Sequence, residues 1–406
     1  MGFLSHLECS RCGKRYPKRG IYNLCQCGSP LFVRYRLEDI KKSIRKGDVE
    51  ARDPTLWRYR EFLPIEAEES FVSLEEGFTP VIKLERLGRN LGLDNLYLKD
   101  EGQIPTGTFK ARGAAVGVSK AKELGIKTIA LPTAGNAGGA WAAYCAKAGI
   151  ELFVVMPIDA PDINKRECIA MGSHLYLVKG LISDAGQIVN RGVRKYGWFS
   201  ASTLQEPYRI EGKKTMGLEI SEQFRWTLPD VIVYPCGGGV GLIGMWKAFE
   251  ELREMGWIQS LKTRFVAVQS AGCAPIVKAF ARGRKEAEFW EGAETIADGL
   301  RVPKPLGDFL ILDAIEKSNG IALSVKDEEI LESVQLLGKE EGVFACPEGA
   351  ATLWAAKKLK EQGWLKRGET VLLLNTGTGL KYPRLISKRA PILESDAEIA
   401  LQEDPP

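Results

Sequence analysis

From about residue 70 to residue 390 the chain alternates short apolar, β-rich runs with longer stretches of helical spacing. The clearest runs are 128–131, 152–156, 231–234, 265–268 and 370–374. Most are continuously apolar rather than alternating, which suits strands buried on both faces. Helical patterns lie between them, as at 137–148 and 242–255. That order of elements predicts an α/β architecture with mainly parallel sheets. No internal repeat interrupts it.

At 406 residues the chain exceeds one ordinary core and suits two large lobes plus an extra module. Residues 1–40 read as that module. Cys9-Ser-Arg-Cys12 and Cys25-Gln-Cys27 both sit in turn-forming sequence, with glycine following at Gly13 and Gly28. Four thiolates in two close pairs satisfy a tetrahedral zinc ion, with Cys9, Cys12, Cys25 and Cys27 as ligands. Four cysteine ligands leave no open position, so the metal is expected to be structural. The alternative is four reduced cysteines in a loop-rich arm. Residues 41–70 read as a charged and aromatic connector, and 394–406 as a flexible acidic tail.

Charge narrows the function. The net charge is +4 with acids and bases interspersed, so no basic footprint for nucleic acid stands out. The excess at Arg11, Lys14, Arg15, Lys18 and Arg19 is local and reads as a solvated face. No apolar stretch is long enough to span a bilayer, and the N-terminus lacks a signal-peptide core. His6 stands where a myristoylation motif needs Ser or Thr. A cytoplasmic protein with neither membrane nor nucleic-acid partners is expected. Only two histidines occur, His6 and His174, and neither lies beside a nucleophile motif. Hydrolase chemistry with a histidine base is therefore disfavoured, and a lysine is left to move protons.

Four motifs supply chemistry. In Glu101-Gly-Gln-Ile-Pro-Thr-Gly-Thr-Phe-Lys110, a strand-like run at 96–99 leads through a Pro-Thr-Gly turn to Lys110, which opens a helical pattern. A lysine at such a junction can form a Schiff base with an aldehyde cofactor, which points to pyridoxal phosphate. Pro132-Thr-Ala-Gly-Asn-Ala-Gly-Gly139 follows a strand and precedes a helix, leaving backbone N–H groups free for an anion. Thr133, Ala134, Gly135 and Asn136 suit a substrate carboxylate, and the Asn136 amide suits a cofactor phenolate oxygen. Cys236-Gly-Gly-Gly-Val-Gly241 repeats that arrangement, and Gly237, Gly238, Gly239, Val240 and Gly241 form a cradle sized for a single phosphate. It is not the P-loop pattern, because no G-K-[ST] follows. Both loops also read as tight strand-to-helix turns. Thr376, in Asn375-Thr-Gly-Thr-Gly-Leu-Lys381, offers a hydroxyl to a pyridine nitrogen or a cap to a helix. The carboxylate loop and Lys110 lie within 71–230, the N-terminal part of the catalytic region. The glycine cradle lies within 231–393, the C-terminal part.

Together these residues resemble the fold-type II pyridoxal phosphate enzymes (tryptophan synthase β-like), and within them the threonine synthases. Leu74-Glu-Glu-Gly-Phe-Thr-Pro80 is similar to the family's early L-x-E-G-x-T-P segment. The Lys110 motif is similar to E-x-x-N-P-T-G-S-F-K. Glu206-Pro-Tyr-Arg-Ile-Glu-Gly-Lys-Lys-Thr215 is similar to N-P-x-R-x-E-G-x-K-T, and Thr376-Gly-Thr-Gly-Leu-Lys381 to T-G-H-G-L-K. The resemblance spans nearly the whole chain except the tail, and some threonine synthases also carry a cysteine-rich ribbon. Ile104, Ala111 and Thr378 depart from the usual residues, Ala134-Gly-Asn-Ala-Gly138 replaces the usual S-T-G-N-T, and Lys-x-Arg-Gly-Ala is also the threonine dehydratase form.

The resemblance implies two lobes, a homodimer, and conversion of O-phospho-L-homoserine and water to L-threonine and phosphate. Lys110 is then the catalytic lysine and cofactor anchor. A second anion pocket must hold the substrate's phosphate, with Arg209 and Lys214 as its expected cations. These two also read as partners of Glu206 and Glu211. A threonine or serine dehydratase, or a β-replacement enzyme of the same fold, is the other reading. A non-catalytic regulator would have no need of Lys110.

Overall fold

The computed structural model describes residues 2–386, 390–393 and 395. The expected acidic tail, apart from Ser395, lies outside the described residues.

The apolar runs become strands of two open sheets. The larger has six strands in the order β12 (Ile321–Val325), β11 (Arg264–Ser270), β10 (Val231–Pro235), β13 (Thr370–Asn375), β5 (Asn95–Asp100) and β4 (Val81–Lys83). All neighbours pair in parallel except β4, which runs antiparallel at the edge. The smaller is fully parallel, in the order β8 (His174–Val178), β7 (Glu151–Pro157), β6 (Thr128–Pro132) and β9 (Phe199–Ser200). Continuous burial explains the continuous hydrophobicity: every residue of β10 is buried. The sheets do not follow chain order, since β4 and β5 precede the smaller sheet yet lie in the larger one.

Residues 1–40 hold a separate antiparallel sheet, β2 (Arg15–Pro17), β1 (Leu4–Cys9) and β3 (Leu31–Tyr35). Its core of Leu4, Leu7, Leu31 and Val33 includes Tyr208 from the main body. Downstream, Ile40, Ile44, Val49, Tyr59 and Phe62 are buried with the larger lobe's core.

Helix Lys110–Glu123 crosses helix Arg209–Gln223 at a pair of glycines. A Cβ on Gly212 would lie 2.0 Å from the Arg112 carbonyl oxygen, and one on Gly113 would lie 2.7 Å from Arg209 Cγ. Only glycine permits this approach. Next to it lies an ion network with no exposed side chain: Arg112 meets Glu101 at 2.6 Å and Glu219 at 2.5 Å, and Lys99 meets Glu219 at 2.9 Å. No helix among the described residues is long and apolar enough to cross a membrane.

Candidate active site

Strands β5 and β13 are parallel neighbours, so the loops leaving their carboxyl ends run side by side, where open α/β sheets bind ligands. The loop after β5 ends in Lys110, and the loop after β13 carries Thr376. They are pinned together: Phe109 N–H donates to the Thr376 carbonyl at 3.0 Å, and Thr378 N–H donates to the Gly107 carbonyl at 2.9 Å. The turn before the lysine passes through Thr106 at φ 66°. Left-handed backbone at a β-branched residue is strained, and such strain gathers at functional sites.

Lys110 is the first residue of its helix, with its amine 4.7 Å from the Phe109 ring centroid. Burial and the Arg209 guanidinium pull that amine down to about 8, against the opposing pull of Glu348 and Cys346.

The second sheet brings Asn136, which sits between β6 and helix Ala137–Ala148. Its Nδ2 donates to the Tyr382 hydroxyl at 2.8 Å, and that hydroxyl donates to Glu348 Oε1 at 3.0 Å. Glu348 Oε1 also accepts from Gly299 N–H at 2.7 Å. Thr133 Oγ1 accepts from Gly135 N–H at 3.2 Å and thereby shapes the small-residue loop that includes Ala134. Thr376 Oγ1 lies 3.6 Å from the sulfur of Cys346.

The glycine loop follows β10. Gly239 is left-handed at φ 69° and precedes helix Val240–Glu254. A Cβ on Gly237 would lie 2.1 Å from the Gly299 carbonyl oxygen, and one on Gly241 would lie 2.2 Å from the Tyr234 hydroxyl. At Gly238 the surroundings are open, with Thr203 nearest at 3.6 Å. Thr203 in turn accepts from Arg209 Nη1 at 3.0 Å. Arg209 also donates to the Ala201 carbonyl, pairs with Glu206 at 3.2 Å and lies over the Trp141 ring. Lys110, Asn136, the glycine loop, Thr376 and Arg209 are thus drawn into one region.

Lys214 is not brought there. Its amine is held by Glu211 at 2.6 Å and Glu251 at 2.9 Å, over the ring of Tyr35 from the N-terminal sheet. Adjacent residues on a helix point about 100° apart, so it is Lys213, not Lys214, whose amine lies by the Phe109 ring that Lys110 also approaches. The two histidines lie elsewhere, His6 beside Glu8 and His174 beside Glu151. Cys346, Glu348 and Tyr382 escaped the sequence reading. The Cys346-Pro347 helix start and the position of Tyr382 directly after the T-G-x-G-L-K segment were the available signals.

Four buried polar atoms around the lysine have no hydrogen-bond partner: Asn136 Oδ1, Glu348 Oε2, Thr106 Oγ1 and Thr108 Oγ1. Unpaired buried polar atoms are uncommon. Grouped here, with an amine, an amide, a hydroxyl and an open glycine loop, they fit a polar, phosphorylated aldehyde such as pyridoxal phosphate. In the N-terminal sheet the sulfurs of Cys9, Cys12, Cys25 and Cys27 all lie within 4.8 Å of one another. The pairs Cys9–Cys27 and Cys12–Cys25 are 3.5 and 3.6 Å apart. A tetrahedral site with ~2.3 Å bonds spaces its sulfurs by about 3.8 Å.

Comparison with known proteins agrees with this geometry. Residues 72–377 match the family described as pyridoxal-phosphate dependent enzyme. The chain is 35% identical to the threonine synthase of Methanocaldococcus jannaschii, over 98% of this chain and 95% of that one. It is 37% identical to the threonine synthase of Methanosarcina acetivorans, over 94% and 93%. The structure of maize serine racemase superposes with a TM-score of 0.67 at 23% identity, covering 81% of this chain and 94% of that one, and shows the shared fold. Nearly end-to-end alignment with such relatives, and a lysine site where the sheet ends meet, lead to one assignment: the chain belongs to the pyridoxal-phosphate dependent enzymes, among the threonine synthases.

Proposed function

We propose that this enzyme converts O-phospho-L-homoserine and water into L-threonine and phosphate. The observation that carries the reading is the placement of Arg209, a buried guanidinium that shares Thr203 with the glycine loop and depresses the Lys110 amine. This placement supports two anion positions beside one lysine, as a phosphorylated substrate on a phosphorylated cofactor requires.

Lys110 anchors the cofactor and acts as the general base. The backbone N–H groups of Gly237, Gly238, Gly239, Val240 and Gly241 hold the cofactor's phosphate. The second N–H of the Asn136 amide serves its phenolate oxygen, and the Thr376 hydroxyl its ring nitrogen. Pyridoxal phosphate bound there supplies the electron sink that lets a proton leave the substrate's α-carbon. Thr133, Ala134, Gly135 and Asn136 clamp the substrate carboxylate. Lys110 Nζ takes the α-proton, gives it up, and then takes a β-proton, with protons returned at Cγ and Cα; an amine lowered to about 8 is partly free to do so near neutral pH. Arg209 holds the substrate phosphate as it leaves Cγ, and water adds at Cβ. Lys214, tied to Glu211 and Glu251, takes no part in this pocket.

The four clustered cysteines support a structural zinc in residues 1–40. Free cysteines throughout the described residues support a reducing, cytoplasmic setting. The resemblance supports a homodimer acting on a small amino acid, without membrane or nucleic-acid partners. It also supports the division into module 1–40, connector 41–70 and catalytic parts 71–230 and 231–393.

The test is to incubate cofactor-loaded enzyme with O-phosphohomoserine, identify products by mass spectrometry and measure free phosphate. Threonine and phosphate are expected in equal amounts. Absence of phosphate release would overturn the reading in favour of a dehydratase or β-replacement enzyme.

A further inference from the structure

We infer that Lys213 completes the pocket for the substrate's phosphate, its amine meeting the anion that Arg209 meets from the other side. This rests on the reading of Arg209 as an anion ligand given above.

Positions 209 and 213 lie one turn apart on helix Arg209–Gln223 and share a face. Both stems cross the neighbouring helix where Gly113 has no side chain: a Cβ there would lie 2.7 Å from Arg209 Cγ and 3.3 Å from Lys213 Cε. The crossing carries Lys213 to the lysine loop. Its amine lies 3.8 Å from the Phe109 ring centroid, the same ring that Lys110 approaches at 4.7 Å. It also donates to the Phe109 carbonyl.

What sets Lys213 apart is the lack of a counter-ion. The other deeply buried lysines have carboxylates: Lys99 has Glu219, Lys214 has Glu211 and Glu251, and Lys247 has the same two. Among the described residues, Lys213 has no carboxylate within ion-pair distance and is only 2% exposed. An unpaired ammonium buried this way is costly, so the neutral amine is favoured until an anion arrives. Burial above all, then the charges of Lys110, Arg112 and Arg209, hold it well below the ordinary lysine range, with Glu101 opposing. A phosphate supplies the missing negative charge. One ammonium hydrogen stays on the Phe109 carbonyl, and two remain for phosphate oxygens. Anion binding therefore takes up a proton at Lys213.

The experiment is calorimetric titration of the cofactor-loaded enzyme with inorganic phosphate. In that form the cofactor already fills its own phosphate site. Wild type, Lys213→Gln and Lys213→Arg are compared in two buffers of different ionisation heat at pH 8. Glutamine keeps a donor for the Phe109 carbonyl and removes the charge; arginine keeps the charge. The dissociation constant is expected to weaken roughly tenfold or more in K213Q, the loss of a hydrogen bond to a charged group, and to recover in K213R. Proton uptake on binding is expected to fall in K213Q relative to wild type. Unchanged phosphate affinity in a K213Q protein of wild-type Tm overturns the proposal. So does a shift confined to the pH midpoint of the cofactor absorbance, which would make Lys213 only a neighbour that tunes Lys110. A wild-type enzyme that releases no phosphate from O-phosphohomoserine, while K213Q still loses phosphate affinity, would remove the proposed function and leave the Lys213 site standing.

Discussion

Gly212→Ala tests how the two central helices set the active site. The added Cβ would lie 2.0 Å from the Arg112 carbonyl oxygen, 2.6 Å from its carbon and 2.9 Å from Gly113 Cα. All three are backbone atoms, so no side chain can swing aside. Relief requires the helices to separate by about 1 Å, and overpacking of this kind costs about 1–3 kcal/mol. One helix carries Lys110 and the other carries Arg209, so the separation moves the proposed general base away from the proposed substrate-phosphate ligand. A misplacement of ~1 Å between reacting groups costs on the order of 10²-fold in rate. The assay pairs calorimetric Tm with kcat/KM for O-phosphohomoserine. Gly338→Ala, in a helix where nothing lies within 4 Å of the new Cβ, is the control and is expected to leave both intact or raise Tm slightly. If G212A matches wild type in Tm and kcat/KM, the glycine contact does not position the site and the reasoning fails.

Lys110→Ala is expected to abolish covalent cofactor attachment, its absorbance and turnover; surviving turnover would refute the assignment of the base. The neutral amine is the attacking form, and its folded value is lowered to about 8. Attachment of cofactor to the cofactor-free chain should therefore accelerate as pH rises through about 8, and Arg209→Met should move that midpoint upward; stopped-flow absorbance reads both. Arg112→Met leaves Glu101 and Glu219 buried, with Lys99 still paired to Glu219, so denaturant titration should show a loss of about 3–5 kcal/mol. Purified enzyme should carry one zinc per chain by elemental analysis, and Cys12→Ser should lose the metal together with several degrees of Tm.

The strands were legible because burial on both faces writes itself as unbroken apolar sequence: the runs at 128–131, 152–156, 231–234, 265–268 and 370–374 fall within β6, β7, β10, β11 and β13. The loops were legible because glycine and small residues mark strand-to-helix turns. The side on which a lysine lies was not. Helix Arg209–Gln223 is buried from Arg209 through Ser221, so it has no apolar stripe from which to read its phase. Lys214 was singled out by position in a motif, whereas Lys213 faces the site by helical geometry. Glu348 and Tyr382 join the site only through sheet order, which brings distant segments together and leaves no local pattern.

The N-terminal sheet has a consequence for how the chain is made. Its small core closes on Tyr208, the residue directly before Arg209. Residues 1–40 are synthesised well before residue 208, and until then their core lacks that wall. So few residues bury too little apolar surface to hold a fold unaided. Four cysteines able to grip a metal early would keep the three strands in register through that wait. Once Tyr208 docks, this earlier-made segment braces the start of the helix that bears Arg209, so the placement of Arg209 depends on a segment made long before it.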